Sequence, residues 1–117
     1  MADRAFVVMS PAGAQTRFDI VEIADELARL ATGAAALRVL FDWSQVGSWP
    51  FSSPSAAAIE RWKRTAPAIA RAAFVHDAKW NRQAALLEAL LRVGNAEARS
   101  FHVSDIYAAV DWLNLAP

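Results

Sequence analysis

The sequence predicts an α/β domain with a small mixed sheet of four to five strands and helices packed mainly on one face. Three observations carry this. Val39-Leu40-Phe41 and Ala72-Ala73-Phe74-Val75 are continuous apolar runs without alternation, as expected for strands buried on both faces. Amphipathic helical stretches separate these runs. Ser, Pro and Gly punctuate the joins. Strands alternating with helices imply a sheet that is at least partly parallel.

The elements follow in order. Ala5-Phe6-Val7-Val8-Met9 is a short β-forming run closed by Ser10-Pro11-Ala12-Gly13, a strand and a turn. Gln15 to Phe18 is expected as a weaker edge strand completing a hairpin. Asp19-Ile20-Val21-Glu22 has capping-box spacing. The helix it opens places Ile20, Ile23, Ala24, Leu27, Leu30 and Ala31 on one face and Glu22, Asp25, Glu26 and Arg29 opposite. Gly33 ends it. Leu37 to Trp43 is the best central strand.

Ser44 to Ser53 is expected as a loop. Ser53-Pro54 resembles a helix start, with Ser as N-cap and Pro at the first helical position. Ile59, Trp62 and Ala66 then share a face, and Pro67 stops the helix. Ala72 to Val75 is the second central strand. Trp80 to Val93 is helical, with Trp80, Ala84, Leu87 and Leu91 on one stripe. Leu86, Leu90 and Val93 form a second apolar stripe. Gly94-Asn95 ends this helix, Arg99-Ser100-Phe101 fits an edge strand, and Ser104 is expected to cap a last helix with Ile106, Ala109, Val110 and Leu113 inward.

Composition narrows the function. A chain of 117 residues is expected to be one domain over residues 1–117. Twelve basic residues balance twelve acidic ones, so the positive footprint needed to grip a phosphate backbone is missing and nucleic acid is not an expected partner. The same neutrality removes self-repulsion and favours self-association. The second stripe, Leu86, Leu90 and Val93, is the expected homodimer interface. No cysteine is present, which removes disulfides, thiolate nucleophiles and thiolate metal sites. No leader pattern and no membrane-length apolar run is seen, so a cytoplasmic location is expected.

The polar constellations have plain readings. Asp42-Trp43-Ser44, Ser52-Ser53 with Ser55, and His76-Asp77 all fall at strand ends, where ligands of open α/β sheets sit. A catalytic triad needs a base aimed at a sharply exposed nucleophile, and no Gly-x-Ser-x-Gly elbow exists. Asp42 and Asp77 are read as acceptors for loop amides, and no catalytic residue is expected. His76 and His102 lie on different elements, so no metal site is expected, and without a Gly-rich phosphate cradle no cofactor is expected. The serine-rich helix start allows two readings, simple capping or a phosphate seated on helix amides. Trp43 and Trp49 either line an apolar pocket or cover the core. The pocket reading takes Asp42, Trp43, Ser44, Trp49, Phe51, His76 and Trp80 as its lining.

Val39 to Ser44, Ala70 to Asp77 with Trp80, Arg99 to Phe101 and Ala109 to Leu113, taken in order, resemble the SpoIIAA-like branch of the STAS superfamily, bacterial proteins also described as STAS/CRAL-TRIO-like. The resemblance covers the chain from about residue 37 to the end. It implies a four- or five-stranded sheet with helices mostly on one side, no established catalysis, and regulation by binding a protein partner. It also implies a phosphorylated serine at a helix start, for which Ser52 and Ser53 are the counterparts here. The CRAL-TRIO side of the resemblance implies, as the alternative, a small apolar-ligand or lipid-binding module.

Overall fold

The computed structural model describes residues 4–31, 36–49 and 55–115, with side chains omitted at Arg4, Ala5 and Arg17. Four strands form the main sheet in the order β1 (Arg4–Met9), β3 (Ala36–Asp42), β5 (Ile69–His76) and β6 (Glu97–His102). Every pairing is parallel. Two short strands, β2 (Gly13–Ala14) and β4 (Val46–Ser48), pair separately and are also parallel. The strand count falls in the expected range, and the parallel arrangement replaces the mixed one.

The strand order explains the layers. Each new strand of the main sheet is added on the same side of the last, so crossovers of one hand put all the connecting helices on one face. Those helices are α1 (Arg17–Ala31), α2 (Ala56–Thr65) and α3 (Asn81–Val93). α4 (Ile106–Asn114) follows the last strand and is free of that constraint. It covers β3, β5 and β6 on the opposite face.

Alternation along the strands divides the core accordingly. Val39, Phe41, Ala72 and Phe74 meet Ile20, Ala24, Leu27, Trp62, Ala84 and Leu91 under the three helices. Leu40, Ala73 and Val75 meet Ala109 and Leu113 under α4. Phe41 and Phe74 are register partners and stack with centroids 4.6 Å apart. Full burial of a side chain such as Leu27 or Leu91 is worth about 1.5–3 kcal/mol. The expectation that β3 and β5 are the central, parallel, buried strands agrees with this arrangement.

Several local expectations are corrected. Gln15 to Phe18 is not an edge strand. Arg17 and Phe18 already belong to α1, and the strand is Gly13–Ala14, held where the Gly13 amide donates to the Gln45 carbonyl. The capping box is Thr16 and Asp19, three residues before the expected one. The Asp19 amide donates to Thr16 Oγ1, and the Thr16 amide donates to Asp19 Oδ2. Both pairs have the same spacing. The earlier start leaves the apolar face intact and leaves Phe18 on the outside.

The Ser44 to Ser53 stretch contains β4. The N-cap of α2 is Ser55, not Ser53: Ser55 Oγ accepts from the Ala58 amide at 3.2 Å. Beginning there puts Ala58, Trp62 and Thr65 on the buried face. Ser104 does not cap α4 with its side chain. Its amide donates to His102 Nδ1, within a 3-10 turn over Val103–Asp105 that precedes the helix.

Polar contacts tie the layers together. Thr65 Oγ1 donates to the Ala24 carbonyl, and Arg61 reaches both carboxylate oxygens of Asp25 at 2.7 Å, so α2 is fastened to α1. Within α1, Arg29 pairs with Glu26 and holds its carboxyl below the usual range, mainly through the side-chain hydrogen bond.

Arg38 and Arg71, register partners on β3 and β5, are both buried beneath the end of α4. Arg38 Nη1 donates to the carbonyls of Leu113 and Leu115; Arg71 Nη1 donates to those of Trp112 and Leu115. Arg71 Nε also meets Glu97 at 3.1 Å. The last carbonyls of a helix have no partner within it and carry its negative pole, so two guanidinium groups there are doubly favoured.

Candidate functional site: an apolar cavity at the carboxyl end of β3

Phe41 and Trp43 bring the carboxyl end of β3 under the three-helix layer, where ligands of open α/β sheets gather. Ile20 and Ile23 of α1 stand on one side, and Leu86, Leu87 and Leu90 of α3 on the other. Trp62 of α2 and Trp49, just after β4, complete the apolar walls, and Gln83 is the one polar side chain among the described lining residues. The space is about 60 Å³ and is partly open to solvent. Water needs roughly 10–15 Å³ and drug-sized pockets run from about 300 Å³, so this cavity suits a small group.

Aromatic edges set its shape. Trp43, nearly fully buried, meets Trp49 edge-on at 4.8 Å and Phe74 at 5.3 Å. Trp49 in turn meets Trp80 at 6.4 Å, almost perpendicular. Three buried side-chain atoms of the described residues have no hydrogen-bond partner: Trp49 Nε1, Trp62 Nε1 and Gln83 Oε1. All three belong to residues lining this cavity.

The sequence-selected residues divide around it. Trp43 and Trp49 line the cavity, and their rings pack edge-on against one another beside it. Trp80 stands behind Trp49 and outside the lining. Phe51, Ser52 and Ser53 lie outside the described residues. Asp42, Ser44 and His76 are not in the lining. Asp42 Oδ1 accepts from the Ser44 amide at 3.0 Å, and Asp77 Oδ1 accepts from the Lys79 amide, the loop roles read from the sequence.

His76 is buried on the helix-bearing side of β5. Its Nδ1 faces the Asp77 carbonyl at 2.7 Å, and its Nε2 lies 3.1 Å from Ser100 Oγ, which donates to Glu88 at 2.9 Å. A carbonyl only accepts, so Nδ1 carries a proton. Ser100 is the middle member of this chain. In a catalytic triad the imidazole holds that place. Ser44 takes no part. Among the described residues no group of three metal-ligating side chains converges.

Leu86 and Leu90 turn toward the cavity, and Val93 alone of the expected dimer stripe stands well out, 73% exposed. Sequence reasoning passed over Ile20, Ile23, Leu87 and Gln83 as site residues. One signal was available: Gln83, Leu87 and Leu90 fall at i, i+4 and i+7, so a lone amide sits on an apolar helix face.

The geometry defines a small parallel α/β domain with an apolar site at a strand's carboxyl end. The family model described as SpoIIAA-like matches residues 7–114, nearly the whole length, and the chain belongs to that family. No match was found among curated proteins or among solved structures. No helix of the described residues is long and apolar enough to cross a membrane.

Proposed function

We propose that this protein is a non-enzymatic regulatory module that acts by binding a protein partner. Its place in the SpoIIAA-like family supports this, and one observation carries it. β1 is an outer strand, and α4 stops short of it. Phe6 and Val8 therefore stand open on the α4 face, 42% and 52% exposed, beside a strand edge with no partner strand among the described residues. Exposed apolar side chains along a free edge are what strand-adding or face-packing partners use. The arrangement of His76, Ser100 and Glu88 supports the non-enzymatic part.

In this reading residues 1–117 form one cytoplasmic domain, with Leu86, Leu90 and Val93 as its self-association patch. Ser52 and Ser53 are the phosphorylation sites, close in sequence to the Ser55 cap. The test is cross-linking in the native cell, identification of the captured proteins, and titration of each purified candidate. Phe6→Asp with Val8→Asp should weaken the true partner by about tenfold or more, while Tyr107→Ala on the exposed side of α4 should not. Unchanged affinity in the β1 variant, or a turnover that vanishes in His76→Ala, would sink this proposal.

The cavity favours a second reading, an apolar-ligand module. Its size restricts the occupant to a small molecule or to the head of a slender chain rather than an enclosed lipid.

A further inference from the structure

β1 and β6 are the two outer strands of the main sheet, and their edges differ. β6 carries Glu97 and Arg99, and charged side chains are an ordinary guard against a further strand. From Ala5 to Met9, β1 carries neither a charge nor a proline. Of the two outer strands, β1 is therefore the one left open to strand addition. Its two faces ask for different side chains. Phe6 and Val8 stand exposed on the α4 face, whereas Val7 and Met9 pack against the core on the helix face. A strand added beside β1 alternates in the same way. Every second side chain lies next to Phe6 and Val8, where an apolar residue is favoured.

The intervening side chains rise on the other face, beside an open groove that Met9 and Pro11 share with α1. The charged residues of that groove are Asp19, Glu22, Asp25, Glu26 and Arg29. Arg29 answers Glu26 and Arg61 answers Asp25, which leaves Asp19 and Glu22 without a cation among the described residues. Glu22 is exposed and makes no hydrogen bond there. The groove is thus acidic although the chain as a whole is neutral. A long-stemmed cation fits it: the methylenes lie over Met9 and Phe18, and the charge reaches the carboxylates. Resting on the reading that a protein partner binds at β1, we infer that the partner's segment is an extended peptide in which apolar and basic residues alternate. It adds to β1 as a further strand of the main sheet. Its apolar residues lie against Phe6 and Val8, and its Lys or Arg side chains lie over Asp19 and Glu22.

The test uses three capped heptapeptides in which Val alternates with Lys, with Ser or with Glu. Amide spectra and amide exchange of the full chain are followed at low ionic strength. The Val–Lys peptide should shift and protect the β1 amides saturably. It should bind about fivefold tighter than the Val–Ser peptide, the worth of exposed charge pairs, and the Val–Glu peptide should bind more weakly than either. In about 1 M salt, where the screening length is about 3 Å, the three should converge. Glu22→Lys, at an exposed helix position, should remove the preference for Lys and leave the Val–Ser peptide unaffected. Equal binding of the three peptides to β1 at low salt overturns the inference and leaves the β1 reading standing. Shifts on α1 without protection of β1 overturn strand addition. No saturable change with any peptide overturns the inference and the β1 reading together. Protection of β1 that grows with protein concentration before any peptide is added gives the edge to a second copy and overturns the inference too.

Discussion

Gly94 lies against Ala66: a Cβ built on Gly94 would come 2.6 Å from the Ala66 Cβ and 2.9 Å from its carbonyl carbon. The glycine is there for closeness, not for its backbone freedom. Its own φ is −86°, and the left-handed residue that turns the chain out of α3 is Asn95, at φ 70°. Hydrogen bonds from the Asn95 and Ala96 amides to the Arg92 and Leu91 carbonyls close the helix. Gly94→Ala should cost about 1–3 kcal/mol, as overpacking does. Asn95→Gly should be nearly neutral, since glycine accepts that φ freely. Urea unfolding of both variants checks the pair; a neutral Gly94→Ala would mean that the contact relaxes.

The two arginines under α4 make a second expectation. Arg38→Met removes the Arg38 donor from the Leu113 carbonyl, while the Leu115 carbonyl keeps its bond from Arg71. Leaving a buried acceptor unpaired costs about 1–3 kcal/mol. The loss should be local first. Amide exchange should quicken across Ile106–Asn114 well before it quickens in β3. Uniform quickening over the whole sheet would contradict a clamp on the helix end.

Thr16 closes the start of α1 through its reciprocal bonds with Asp19. Thr16→Ala should lower stability by about 1 kcal/mol, the usual worth of an N-cap. Glu22→Gln, at the box that the sequence suggested, should change little. Thermal unfolding of the two variants side by side decides between the two starts.

Trp43 and Trp49 touch, yet their substitutions should differ. Trp43 is 3% exposed and wedged between Trp49 and Phe74. Its truncation to Ala should cost about 3–5 kcal/mol. Trp49 is only half-buried and borders a space that already exists, so Trp49→Ala should cost clearly less. Equal losses in denaturant titrations would show that Trp49 belongs to the core in the same sense as Trp43.

The sequence by itself determined the fold class, the two central strands, the inward faces of α1 and α4, and the family. Those features follow from local periodicity and from apolar runs that allow one kind of burial. Val39 to Phe41 and Ala72 to Val75 have no polar side to turn to water, and Ile20, Ala24, Leu27 and Ala31 recur at helical spacing. Where two starts had equal local chemistry, as with Thr16 and Asp19 or Ser53 and Ser55, the choice fell to tertiary packing. The site was decided there too. Ile20, Phe41, Trp62 and Gln83 come from four elements far apart in the chain, and only the crossovers that stack α1, α2 and α3 on one face bring them to one cavity. The same holds for Arg38 and Arg71. Each looks like an ordinary charged residue in a strand until α4 folds back and lays its unpaired carbonyls upon them. Such partners cannot be read from spacing, because a hydrogen bond between distant segments depends on where the chain returns.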